Sequence, residues 1–167
     1  MTPRRLDLIG TLARLGLAAV FLVSGYIKAS DLDQTYVAVN AYQVLPKPAV
    51  EVVAVVLPWF ELAVGVLLLV GVGTRIIAVI SALMLLMFMA GVAQAWARGL
   101  SIDCGCFGGG GDVAADKTSY GTELLRDTGF MILAVWLIVR PTTLWSLDGW
   151  LGRSDAGADL SGEGVRT

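Results

Sequence analysis

The sequence predicts an all-α integral membrane protein, folded as a four-helix antiparallel bundle. Of its 167 residues, 56% are apolar and only 16% are charged, whereas an average soluble domain is about 45–50% apolar and about 25% charged. The apolar excess lies in four blocks, each long enough for a membrane span of about 20 residues. Residues 1–140 are therefore expected to form one four-span membrane domain.

The first block runs from about Leu8 to Ile27. Arg4 and Arg5 precede it, as in a secretion signal, but its length, its interruption by Arg14 and the three blocks that follow favour a retained span. Arg14 lies near the start of this span and is expected to snorkel toward the surface. Residues 28–47 show no clean period and contain Tyr side chains that suit the headgroup level, so a short interfacial helix or loop is expected.

The second and third blocks run from about Ala49 to Val70 and from about Arg75 to Ala97. Only the short segment from Gly71 to Thr74 separates them, which predicts a tight antiparallel helical hairpin. Glu51, close to the start of the second block, is expected to be a solvated interface residue.

The fourth block runs from about Thr122 to Val139 and follows a loop that contains both cysteines. Residues 141–151 are expected to be an interfacial aromatic segment, with Trp145 and Trp150 as anchors. Residues 152–167 are rich in Gly, Asp and Ser and are expected to form a disordered cytoplasmic tail.

Basic residues near the span ends predict the orientation, because Lys and Arg favour the cytoplasmic side. One end of the bundle carries Arg4, Arg5, Arg75, Arg140, Arg153 and Arg166, and the other carries Lys28, Lys47, Arg98 and Lys117. The protein is therefore expected in a bacterial cytoplasmic membrane, with both termini on the cytoplasmic side and both long loops on the outer side. Both cysteines would then face an oxidising compartment, where disulfides persist.

Composition also excludes several classes of function. The net charge is −2, from 12 basic and 14 acidic residues, so no nucleic-acid footprint is indicated. The chain contains no His, which excludes His-ligated haem, His-based zinc sites and His general bases within one chain.

The two cysteines lie in the segment Ile102-Asp103-Cys104-Gly105-Cys106-Phe107-Gly108. A disulfide needs Cα atoms about 4.4–6.8 Å apart, so the backbone must fold here, and Gly105 permits the positive φ that such a turn needs. A closed loop of about three residues stabilises a protein by only about 1.6 kcal/mol, and strained exposed disulfides are readily reduced. This pattern favours a redox-active pair in an exposed loop, to which the Gly108–Gly111 run adds mobility.

Two other interpretations of the cysteine pair stay open. A zinc site needs four ligands, so this pair falls short unless a partner completes the set. Two thiolates suit Cu(I), which is a soft ion. The other alternative is that the pair consists of inert thiols at the end of a span.

Glu61 lies near the middle of the second span, where an ionisable residue is costly and usually faces the bundle interior. Pro58, Glu61 and Gly65 share one helix face, which predicts that this face looks inward and that Gly65 admits a neighbouring helix. Glu61 is a candidate proton carrier or ligand contact, and with the adjacent Trp59 and Phe60 it marks a candidate quinone pocket. The alternative is a polar contact between helices.

Three further charged positions are candidates for supporting roles. Arg126 and Asp127 open the fourth span and are expected to pair with Glu61 or Lys28 or to fix the cysteine loop, where Arg126 would favour a thiolate. Interfacial snorkelling is the alternative for Arg126, and a simple interface anchor is the alternative for Lys28.

These residues resemble known membrane proteins. Ser24-Gly25-Tyr26-Ile27-Lys28 at the end of the first span, and Pro58-x-x-Glu61 in the second, are similar to the DoxX-type four-span proteins. The Cys-Gly-Cys-Phe-Gly loop at 104–108, followed by Leu125-Arg126-Asp127, resembles the methylamine utilisation protein MauE family. The resemblance extends from about Leu8 to Arg140.

The resemblance implies a bacterial multi-pass protein that acts with thioredoxin-like or DsbA-like thiol proteins and is linked to disulfide formation in the methylamine dehydrogenase small subunit. It points to Cys104 and Cys106 as the exchanging pair, and we expect Cys104 to face the partner. A single pair cannot relay electrons across the membrane, so a quinone or another protein would receive them. The alternatives are a non-catalytic assembly or docking subunit and a binder of Cu(I) or a small ligand.

Overall fold

The computed structural model describes residues 3–105, 109–114, 118–144 and 146–147. The all-α prediction is confirmed: the helices are α1 Pro3–Ser30, α2 Leu32–Ala41, α3 Lys47–Val70, α4 Thr74–Ala97 and α5 Tyr120–Val139, with two short strands, β1 Ile102–Asp103 and β2 Gly111–Asp112. α1, α3 and α4 are long and apolar enough to cross a membrane. α5 has 20 residues, about 30 Å at 1.5 Å per residue, but charged residues occupy its first turns.

The main core lies between α1, α3, α4 and α5, and α1 approaches α3 most closely. A Cβ added at Gly25 would lie 2.9 Å from the Pro58 carbonyl oxygen, and one added at Gly65 would lie 2.7 Å from Leu22 Cγ. The predicted inward face of α3 is confirmed, because Pro58, Glu61 and Gly65 are all buried. Gly25 on α1 and Gly65 on α3 have no side chain, which allows the backbones of these two helices to approach closely.

Arg14 does not snorkel, and that expectation is wrong. Its side chain is buried and donates hydrogen bonds to the carbonyl oxygens of Leu68 at 2.9 Å, Leu69 at 3.0 Å and Leu144 at 3.4 Å. The last carbonyls of a helix have no partners within it, so the guanidinium supplies donors to the end of α3. These bonds bring the first half of α1, the end of α3 and the segment after α5 to one end of the bundle.

α2 and the strands lie at the other end. Within residues 28–47, where a short helix or loop was expected, the structure has helix α2. Its N-cap, Asp31, accepts a hydrogen bond from the backbone amide of Gln34 at 2.9 Å. β1 and β2 pair antiparallel, Ile102 with Asp112 and Asp103 with Gly111. The cysteine segment is therefore the connection of a β-hairpin, where an irregular mobile loop was expected.

Tyr120, the first residue of α5, anchors this hairpin to the bundle. Its hydroxyl donates to the Leu100 carbonyl at 2.5 Å and accepts from the Ile102 amide at 3.1 Å. Cys106, the anchors Trp145 and Trp150, and the tail at 152–167 lie outside the described residues.

Candidate functional site

Cys104 directly follows β1 and is buried, with 9% of its surface exposed. Its thiol is hydrogen-bonded to the Glu123 carboxyl group, and its carbonyl oxygen accepts a hydrogen bond from the Tyr42 hydroxyl at 3.0 Å. The expectation that Cys104 is exposed is therefore wrong, because α2 and α5 cover it. Its pairing with Cys106 stays a prediction.

The hairpin connection is held against α2. Gly105 has a φ of 65°, as predicted for the turn at this position. A Cβ there would lie 2.8 Å from the Ala38 side chain. The Gln34 side-chain amide donates to the carbonyls of Gly109 at 3.0 Å and Gly110 at 2.8 Å. These contacts hold Gly105, Gly109 and Gly110 against α2, and the mobility expected of the glycine run stays a prediction.

Glu123 is a site residue that the sequence pattern does not single out. Ligand atoms of Asp103, Cys104 and Glu123 lie within 4.8 Å of one another. The sequence feature that could have indicated Glu123 is its spacing from Asp127, which follows four residues later on the same helix face. One thiol and two carboxylates fall one ligand short of a structural zinc site, whereas a carboxylate beside a thiol is suited to accept its proton.

Arg126 and Asp127 pair with each other, and the structure does not bring either to Lys28. Arg126 Nε donates to Asp127 Oδ1 at 3.1 Å, and Arg126 Nη2 lies 3.1 Å from the same oxygen. Both charges also act on Glu123. Their connection to the cysteine site therefore runs through Glu123.

Lys28 forms a buried ion pair with Glu61. Lys28 Nζ lies 2.7 Å from Glu61 Oε1, and the side chains are 11% and 0% exposed. Ser24 Oγ accepts from Lys28 Nζ at 3.0 Å and donates to Glu61 Oε2 at 3.2 Å. The Lys28 ammonium also lies 5.0 Å from the centroid of the Phe88 ring, within the range of a cation–π contact. Lys28 is thus part of the bundle interior, where an interface anchor was an alternative.

Two cavities adjoin this ion pair. The smaller, about 20 Å³, is lined by both Glu61 and Asp127 and has room for about one water molecule. The larger, about 680 Å³, lies between α1, α2, α3, α4 and the hairpin, and both Lys28 and Cys104 line it. Lys28 and Cys104 therefore adjoin one cavity, and Glu61 and Asp127 adjoin the other.

Trp59 does not line either of these cavities. Its side chain is 60% exposed on the outside of α3. Residues two positions apart on a helix point in nearly opposite directions, since each residue turns the helix by about 100°. Glu61 and Trp59 are therefore not members of one pocket, and Phe60 is also exposed.

Comparison with known proteins supports the likeness seen in the residues. A family model described as methylamine utilisation protein MauE matches residues 6–140. A curated relative from Paracoccus denitrificans, named methylamine utilization protein MauE, is 41% identical over 98 residues, which are 58% of this chain and 53% of the relative. The chain thus spans about half the length of that relative. No solved structure matches it. Because the family match covers most of the chain, this membrane protein belongs to the MauE family.

Proposed function

We propose that this protein is a membrane thiol–disulfide redox protein of methylamine utilisation, with Cys104 and Cys106 as the exchanging pair. The observation that carries the proposal is the hydrogen bond between the Cys104 thiol and the Glu123 carboxyl group. In the reduced chain, Glu123 is placed to take the proton that the Cys104 thiol loses when the pair is oxidised again, because the thiolate is the reactive form of cysteine. The name of the Paracoccus denitrificans relative supports the link to methylamine utilisation.

The reaction we propose forms disulfides in an extracytoplasmic thioredoxin-like or DsbA-like protein. One thiolate of the reduced partner attacks the Cys104–Cys106 disulfide and forms a mixed disulfide with one of these cysteines. The second partner thiolate then attacks this mixed disulfide and releases the cysteine. The partner is thereby oxidised to a disulfide, and Cys104 and Cys106 are reduced to a dithiol that carries the two electrons. A quinone then takes these two electrons and two protons, which gives a quinol and restores the disulfide.

The burial of Cys104 divides the roles of the two thiols. A partner sulfur must reach the sulfur with which it exchanges, and Cys104 is covered by α2 and α5. We therefore assign the exchange with the partner to Cys106 and the resolving role to Cys104, which reverses the assignment expected from the sequence.

Thiol labelling in intact cells tests both the redox state and the orientation. We expect a membrane-impermeant maleimide to label Cys106 only after a reductant is added, because the loop lies outside and its pair is oxidised, whereas the buried Cys104 reacts more slowly. A variant with both cysteines changed to Ser is the control for background labelling. Labelling that requires opening of the membrane, or that needs no reductant, would contradict the proposal.

The grouping of Asp103, Cys104 and Glu123 could hold a metal ion, which is a second candidate function. One thiolate and two carboxylates suit a divalent ion such as Zn²⁺ better than Cu(I), which would need both thiolates. Metal analysis of the reduced, purified protein separates the two functions. One equivalent of metal that is lost in Glu123→Gln would support the metal site, and metal-free protein with full exchange activity would leave the redox function alone.

A further inference from the structure

We infer that the larger cavity is a quinone-binding site in which Lys28 donates a hydrogen bond to a carbonyl oxygen of the ring. This inference rests on the proposed function, in which the dithiol passes its electrons to an acceptor. The site differs from the quinone pocket predicted at Glu61 and Trp59, because neither of these residues lines the larger cavity.

The cavity has the size and lining of a small-molecule site. Its volume of about 680 Å³ falls within the roughly 300–1,000 Å³ of ligand pockets. The wall from α3 and α4 is mostly apolar, with Val53, Leu57, Met87, Phe88 and Ala90. A flat ring with an apolar tail matches a cavity of this kind better than a strongly polar metabolite does.

The packing of the helices places this cavity where a lipid-soluble ligand has access. α3 packs mainly against α1, and α4 packs mainly against α5, so the cavity lies beside the more weakly packed seam between α3 and α4. Val44, Leu45 and Met87 line it and are also exposed. An apolar rim on a membrane bundle suits entry from the bilayer.

Lys28 gives the cavity its polar end. An ammonium has three hydrogen-bond donors, and the described residues that accept from Lys28 Nζ are Glu61 and Ser24. One donor thus remains for a ligand. Glu61 already balances the charge of Lys28, so a neutral acceptor such as a quinone carbonyl is favoured over a phosphate or carboxylate.

The lining also includes Cys104 and Gly105. A ring that fills the cavity therefore contacts both Lys28 and the residue that carries the buried thiol, which is the thiol that the partner does not reach.

Binding of a short-chain ubiquinone analogue to the full chain in nanodiscs, measured by equilibrium dialysis, tests the site. Ala90→Phe fills the cavity, and Ala93→Phe, one turn further along α4 and outside the lining, is the matched control. The double variant Lys28→Met/Glu61→Gln removes the donor without leaving either charge unpaired. We expect saturable binding by the unmodified chain and by Ala93→Phe, and at least tenfold weaker binding by the other two variants.

Equal binding by all four proteins, or no saturable binding by the unmodified chain, would overturn the inference. Single-turnover exchange with a reduced partner needs no quinone and is measured on the same samples. For the unmodified chain, exchange without saturable quinone binding would remove the quinone site alone, whereas saturable binding without exchange would remove the proposed function and leave the site.

Discussion

Glu123 and Cys104 form the contact on which the proposed exchange depends, and the sequence shows only half of it. Cys104 is conspicuous because cysteine is rare in this chain, with two in total. Glu123 is an ordinary glutamate at the start of a helix until the hairpin folds onto α5. The contact joins residues 19 positions apart, and no local pattern encodes such a pairing.

Replacing Glu123 by Gln removes the proton acceptor and keeps the shape of the side chain. We expect the rate at which a quinone reoxidises the dithiol to fall about 100-fold, the lower end of the usual contribution of a general base. Stopped-flow absorbance of the quinone measures this rate. Glu51→Gln, an exposed glutamate on α3, is the control, and an unchanged rate in Glu123→Gln would remove the base from the mechanism.

The Lys28–Glu61 pair makes a second prediction for single residues. Lys28→Met leaves a buried carboxylate without its partner, which costs about 3–5 kcal/mol of folding stability. The double variant Lys28→Met/Glu61→Gln leaves no unpaired charge, so most of that stability is expected to return. Thermal unfolding in detergent measures both. If the double variant is no more stable than the single one, the two side chains do not stabilise each other.

The inward face of α3 is predictable because Pro58, Glu61 and Gly65 recur at helical spacing. The partner of Glu61 is not, since Lys28 lies 33 positions earlier on another helix. Arg14 is mistaken for a surface residue for a similar reason. Its acceptors are carbonyl oxygens at the end of α3, which become available only when the helices pack.

Among the helices, the contact between α1 and α3 depends on glycine. Gly25→Ala places a Cβ 2.9 Å from the Pro58 carbonyl, and forcing apart two packed helices costs about 1–3 kcal/mol. Gly129→Ala on α5 is the matched change, because nothing lies within 4 Å of its Cβ position, and alanine stabilises a helix interior by roughly 0.5–1 kcal/mol. We expect the melting temperature to fall for Gly25→Ala and to rise for Gly129→Ala. Shifts of the same sign would contradict the close packing.

Gln34 holds the hairpin to α2 through two hydrogen bonds. Two such bonds contribute about 1–3 kcal/mol, so their loss in Gln34→Ala is expected to expose Cys104 more often. In reduced protein that lacks Cys106, N-ethylmaleimide should then modify Cys104 roughly tenfold faster. Asn40→Ala, an exposed change on the same helix, is the control. Equal rates in both variants would show that Gln34 does not close the hairpin.

The hairpin itself is not predictable from sequence. Each strand has two residues, too few for a period of alternation to be visible, and Tyr120 on the following helix fixes the connection. The run of glycines predicts mobility from composition alone. In the fold, positive φ angles at Gly105, Gly109, Gly110 and Gly111 provide the tight turns of a connection that packs on α2.

For the whole molecule, composition predicts the helical membrane class, and the boundaries of α3 and α4 agree with the predicted blocks within two residues. α5 is less apolar because Glu123, Arg126 and Asp127 lie at its start. Asp127 is buried and paired with Arg126, so tertiary contacts accommodate charges that hydropathy counts against a span.

The arrangement of ends also concerns the whole molecule. Arg14 joins α1 to the end of α3, and Thr142 Oγ1 donates to Asp7 Oδ1 at 3.1 Å. The first turns of α1, the α3–α4 turn and the segment after α5 therefore share one end. The hairpin, α2 and the polar end of the large cavity lie toward the opposite end, which agrees with a thiol site on a single side of the membrane.

The central claim is that this chain exchanges disulfides through Cys104 and Cys106. The most direct test mixes the oxidised, purified protein with a reduced thioredoxin-like partner and follows the products on non-reducing gels. We predict that the unmodified chain oxidises the partner and that the variant lacking both thiols does not. Cys104→Ser has no disulfide of its own, so it is mixed in the reduced form with the oxidised partner, where the Cys106 thiolate attacks the partner disulfide and a mixed disulfide accumulates. Partner oxidation at the same rate by the variant that lacks both thiols would contradict the claim.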